Sequence, residues 1–147
     1  MLGGLVGRTV GRRYTVVGWG DADFACSVTT LRAHDPLRAI HLVRKQQRSD
    51  WRAVAVFEGE PTLVAAWPEF LKRLKRIESR PAEIYTVVGF WVASGEAAVR
   101  TMEAGGGVVA CLLFVAQLGE TDVQLIGCFR GQPSLVLTSE NLPPDFR

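Results

Sequence analysis

The sequence is poor in the residues that build catalytic and metal centres. It holds two histidines, His34 and His41, and three cysteines, Cys26, Cys111 and Cys128, none in a CxxC or other ligand spacing. Two histidines fall short of the three or four ligands that zinc requires. An odd thiol count without a disulfide-like pattern points to a reducing, cytoplasmic compartment. Cys111 and Cys128 lie in apolar runs, where cysteine behaves as a small buried hydrophobe. The chain contains no GxSxG, GxGxxG or GxxxxGK[ST] motif. A nucleophile elbow and a P-loop are therefore missing, and no catalytic residue, cofactor or metal is assigned. The longest apolar run, residues 107–118, is well short of the ~20 residues of a membrane span. Met1–Arg8 lacks the basic start and continuous apolar stretch of a signal peptide.

What the sequence does have is an internal repeat. Tyr14-Thr-Val-Val-Gly18 recurs as Tyr85-Thr-Val-Val-Gly89, 71 positions on. Phe57-Glu-Gly-Glu-Pro-Thr-Leu-Val64 recurs as Phe129-Arg-Gly-Gln-Pro-Ser-Leu-Val136, 72 positions on. Between these anchors Val28, Thr30, Ala33, Ala39, Leu42 and Gln46 match identical residues at Val99, Thr101, Ala104, Ala110, Leu113 and Gln117. Collinear anchors with matches between them indicate a tandem duplication.

Each copy reads as β-β-α-β-β. In the first, β-branched and aromatic runs predict strands over 14–20, 24–33, 51–58 and 61–66. Asp35-Pro36 predicts a capped helix start and a helix over 36–47. Pro61 lacks an N–H and belongs at a strand start or an edge. The second copy predicts strands over 84–92, 97–103, 123–130 and 134–138, with a helix over 107–118 stopped by Gly119. Between the copies, residues 68–80 predict a basic amphipathic helix with Phe70, Leu74 and Ile77 on one side, ended by Pro81. The expected fold is a single α+β pseudo-two-fold domain over residues 1–147, with about eight mostly antiparallel strands and three helices. Repeat 1 covers about 14–66, the linker helix about 68–80 and repeat 2 about 84–138. Four short strands and a helix bury too little alone, so the halves should share a core or a sheet.

The pattern of Tyr14–Gly18, His34–Ile40 and Ala55–Gly59, with Tyr85–Gly89 and Cys128–Gly131 as a second copy, resembles small bacterial proteins of high-GC genomes. The resemblance rests on fold-forming motifs. It implies no activity and carries over no functional residue.

Charge is unevenly placed. Residues 1–80 carry a net +6 and residues 81–147 a net −4. Arg38, His41, Lys45 and Arg48 fall on one face of the first predicted helix, and the linker adds Lys72, Arg73, Lys75, Arg76 and Arg80. Such a face can neutralise phosphates of a nucleic acid, meet the acidic half of a second molecule, or simply be solvated. Membrane-surface or calmodulin-like binding by the linker competes with the need of its apolar side to pack the repeats. The second helix carries no charge and wants cover on more than one side.

Other constellations have simpler structural readings. Asp21 and Asp23 fit a hairpin tip. Gly105-Gly106-Gly107 fits a glycine lead-in to a buried helix, with anion binding at the helix start as the alternative. Trp19, Trp51, Trp67 and Trp91 fit core packing better than base stacking. The leading expectation is a non-catalytic binding or assembly module acting through protein–protein contacts, with itself or another protein. Nucleic-acid or acidic-partner binding through Arg38, His41, Lys45, Arg48, Lys72, Arg73, Lys75 and Arg76 is the alternative. An enzyme with a cleft between the repeats is the third.

Overall fold

In the computed structural model, residues 11–20, 25–78 and 80–144 are described. The hairpin tip with Asp21 and Asp23, and the segment Met1–Arg8, lie outside the described residues. In chain order the elements are β1 (Arg12–Gly20), β2 (Ala25–Ala33), α1 (Pro36–Arg44), β3 (Trp51–Glu58), β4 (Leu63–Ala66) and α2 (Phe70–Arg73). They continue with β5 (Glu83–Trp91), β6 (Ala97–Ala104), α3 (Gly107–Leu118), β7 (Val123–Arg130), β8 (Ser134–Thr138) and a short 3-10 turn (Ser139–Asn141). The fold is α+β and mostly strand. No helix among the described residues is long and apolar enough to cross a membrane.

The strands form two antiparallel four-stranded sheets, ordered β2-β1-β3-β8 and β4-β7-β5-β6. The last strand of each half is exchanged. β8 pairs with β3 of the N-terminal half, and β4 pairs with β7 of the C-terminal half. Pro61 precedes β4, and β4 is an edge strand, which suits a residue without an N–H.

Period-two alternation gives every central strand two buried faces. On β1, Tyr14 and Val16 pack beneath Ala39, Ile40 and Val43 of α1, while Val17 and Trp19 point away from the helix. On β5, Tyr85 and Val87 pack beneath Val108, Cys111 and Phe114 of α3, while Val88 and Phe90 point away. The outward-turned sets meet as a core between the sheets, so the layers run α1, first sheet, second sheet, α3. Burying one such large apolar side chain contributes about 1.5–3 kcal/mol. Matching bulges thicken this core. Val17 pairs with Ala55 and Gly18 with Ala53, leaving Val54 as an extra residue. Val88 pairs with Gly127 and Gly89 with Leu125, leaving Ile126. Both extra side chains enter the inter-sheet layer.

Ring contacts join the two sheets, and a threonine pair is bonded alike in each. Trp19 meets Phe90 edge-on at 5.5 Å, and Phe57 meets Phe129 at 5.4 Å. Thr15 donates to the Gly59 carbonyl at 2.8 Å, so Thr30, 2.8 Å away, donates to Thr15. Thr86 donates to the Gly131 carbonyl at 2.9 Å and lies 3.1 Å from Thr101. Thr15 and Thr86 are the buried polar residues of the described chain, and each is satisfied.

Two helices differ from their expected lengths. Asp35 caps α1 by accepting the Arg38 N–H at 2.8 Å, but the helix ends at Arg44 rather than 47. Gln46 and Gln47 bond back three residues, to Val43 and Arg44, and the tightened turn releases the chain into β3. The linker helix is a single turn, Phe70–Arg73, rather than 68–80. Glu69 provides no side-chain cap, and only Phe70 of this turn is buried. Lys72, Arg73, Lys75 and Arg76 would stack like charges three and four apart in a longer helix, which destabilises it.

Candidate functional site

The eight basic residues expected to share a surface fall into two groups. Arg38, His41 and Lys45 belong to α1 and its C-cap, on the outer side of the first sheet. Arg48 lies past the helix in the turn into β3, where its carbonyl accepts the Trp51 N–H at 3.0 Å. The linker is fastened elsewhere. Phe70 and Leu74 enter the core under α3, and the Arg73 guanidinium donates to the Val64 carbonyl of β4. Lys72, Arg73, Lys75 and Arg76 therefore lie on the outer side of the second sheet. Both sheets stand between the groups, and they do not form one continuous face.

The linker group surrounds a cavity of about 470 Å³, with Arg80, Arg130 and the first turn of α3 completing its wall. Three glycines shape that corner. Gly106, the N-cap of α3, has φ +133°, a conformation that disfavours any side chain. A Cβ on Gly107 would lie 2.7 Å from Val64, and one on Gly105 would lie 3.0 Å from the Arg80 carbonyl. Lys72 pairs with Glu69 at 3.5 Å, Arg80 with Glu78 at 3.2 Å and Arg130 with Glu83 at 3.6 Å. Among the described residues none bonds to the side chain of Lys75 or Arg76. Tyr85, also on the wall, donates to Glu83 at 3.1 Å. Burial and then the Glu83 carboxylate raise its phenol above the usual range.

A larger cleft of about 610 Å³ lies between the halves, lined by Asp50, Arg52, Ser94, Glu96, Ser139 and Glu140 among others. Two of its serines hold turns. Ser139 Oγ accepts the Ala97 N–H at 3.0 Å and donates to the Gly95 carbonyl at 3.3 Å, while Ser94 Oγ accepts the Glu96 N–H at 3.2 Å. No histidine lines it to serve as a base.

The cysteines are free thiols. Hydrogen bonding with Cys111, together with burial, holds the Cys128 thiol far above its usual range. Burial also raises Cys26. Neither supplies a thiolate at neutral pH. His34 is exposed and precedes α1, so it does not share a helix face with His41. Among the described residues no three His, Cys, Asp or Glu side chains group closely enough to hold a metal ion. Trp19 and Trp51 are buried, and Trp67 and Trp91 are half-buried against the cores, so none of the four is laid open as a stacking platform.

The outer face of α3 is the remaining distinctive surface. Val108, Ala110, Cys111 and Phe114 are buried, whereas Leu112 and Leu113 are 37% and 39% exposed. No charged residue occurs between Glu103 and Glu120.

Sequence reasoning located the linker cations and the uncharged helix. It missed that Arg80, Arg130 and the α3 start complete the linker cavity, and it missed the residues of the cleft. The glycine triplet was a signal for the first; the second joins residues from separate segments with no shared motif. No protein-family model, curated protein or solved structure matches the chain.

Proposed function

We propose that the protein is a non-catalytic binding and assembly module of the bacterial cytoplasm that works through protein–protein contacts, with a second copy of itself as partner. The observation that carries this is the outer face of α3, where Leu112 and Leu113 face solvent on a helix without charge. Apolar area left in water favours association. An identical face brought up on a two-fold axis meets no like charge. We also read the two halves as copies related by a pseudo-two-fold axis. Trp19 and Phe90 occupy equivalent positions and touch, as do Phe57 and Phe129, and residues that touch their own equivalents mark such an axis.

Sedimentation across a range of concentrations tests the reading. A mass above the monomer is expected, falling to the monomer when Leu112→Glu and Leu113→Glu are combined, with Lys45→Glu on α1 as an unaffected control. A monomer at every concentration sinks it. Nucleic-acid binding is the second reading, favoured by the gathering of Lys72, Arg73, Lys75 and Arg76 on one cavity wall. It predicts binding to labelled DNA or RNA that weakens steeply with salt.

A further inference from the structure

We infer that the cavity between the linker and the first turn of α3 binds the phosphate group of a small phosphorylated molecule. At about 470 Å³ it falls in the ~300–1,000 Å³ range of small-molecule sites. Its cations come from two separated segments of the chain: the linker over 72–80 and the end of β7 at Arg130. Convergence of separated segments on one concave spot is unlike a solvated helix face, which spreads its charges along one element. The local carboxylates leave part of this charge uncompensated. Glu69, Glu78 and Glu83 pair with Lys72, Arg80 and Arg130, and among the described residues no partner bonds the side chains of Lys75 and Arg76. A phosphate monoester carries about −1.5 to −2 at neutral pH, which matches two free cations. Arginine presents a planar fork suited to phosphate oxygens.

The helix end reinforces the cations. The first-turn N–H groups of a helix have no intrahelical acceptor, and Gly106 has no side chain with which to cap those of Gly107, Val108 and Val109. These three residues line the same cavity, so the helix adds donors where the cations gather. A divalent cation finds the wrong chemistry here, because Glu78, the one carboxylate on the wall among the described residues, is paired with Arg80. A nucleic-acid strand needs cations strung along its path, and the other basic group lies behind both sheets. The site is distinct from the outer face of α3, so it stands whether or not the chain self-associates.

The test is an amide NMR titration with inorganic phosphate, ionic strength being held constant with chloride. Saturable shifts at the amides of Gly107, Val108 and Val109 are expected. Lys75→Gln combined with Arg76→Gln should raise the Kd by about tenfold, two charge-assisted contacts being lost, while Lys45→Gln with Arg48→Gln leaves it unchanged. Both variants alter exposed side chains, and the same spectra report whether the fold is kept. Shifts that stay linear, or a Kd indifferent to Lys75→Gln and Arg76→Gln, overturn the proposal. So does tight binding of labelled single-stranded RNA that both variant pairs weaken alike without saturable phosphate binding; that result would establish a nucleic-acid interface instead.

Discussion

The two helices that cap the sandwich do the same structural task with opposite outer faces. α1 holds to its sheet through Ala39, Ile40 and Val43, and turns Arg38 and Lys45 to solvent. α3 holds to its sheet through Val108, Ala110, Cys111 and Phe114, and turns Leu112 and Leu113 to solvent. Their inner faces obey the same packing demand. Their outer faces are free to differ because nothing within the described chain covers them. The beginnings differ too. Asp35 caps α1 with its own carboxylate, whereas α3 opens at a glycine and has no side-chain cap. A helix over each sheet thus constrains the interior of both halves and leaves their outer faces with different chemistry.

The largest test of this comparison is made in the interior. Phe57→Ala and Phe129→Ala each remove a ring from the inter-sheet core, where both are fully buried, and each should cost about 3–5 kcal/mol. Chemical denaturation should show one transition that moves as a whole for either variant. Two transitions moving separately would break the shared-core account. Next come the buried threonines. Thr15→Val and Thr86→Val each strand a glycine carbonyl and a second threonine, at about 1–3 kcal/mol. Similar losses would show that the halves are equivalent here; a loss at one site alone would show that only the residues, and not their work, are repeated.

The smallest effect is a pH dependence at Tyr85. Tyr85 has a phenol raised above its ordinary 10.0 by burial and Glu83. The folded state therefore keeps its proton where the unfolded state loses it. That contribution to stability is complete below pH 10.0 and is lost as pH rises through the higher folded value. Across thermal melts, the wild type should keep a constant offset from Tyr85→Phe below pH 10.0 and lose stability relative to it as pH rises beyond. Parallel curves would show that Tyr85 titrates as it does in water.

Much of this layout was legible in the residues. β3, β7, β8 and α3 keep the bounds expected of them, because β-branched runs and glycine stops act locally. The antiparallel α+β character followed from the same signals. The exchange of β4 and β8 was not legible, because a strand's pattern says which face is buried and not which neighbour it meets. The bulges at Val54 and Ile126 escaped for the same reason, since register is a property of pairs. The linker was over-extended because apolar spacing at Phe70, Leu74 and Ile77 outweighed the mutual repulsion of its cations; Ile77 is in fact exposed. The linker cavity could be read only in part. Lys72 to Arg76 announce themselves as a cluster, but Arg130 reaches them through the sheet.

The exchanged strands also set a timetable for synthesis. β3 is ready long before its partner, because Ala55 waits for Thr138 and Glu58 for Ser134. At about 5–20 residues per second of translation, the nascent first sheet stands with a bare hydrogen-bonding edge for on the order of ten seconds. β4 is also left waiting until β7 emerges from the ribosome. During that interval the bare edge of β3 is open to a β8 from a finished copy, so the topology that fastens the finished molecule leaves the growing one with an unpaired edge to protect.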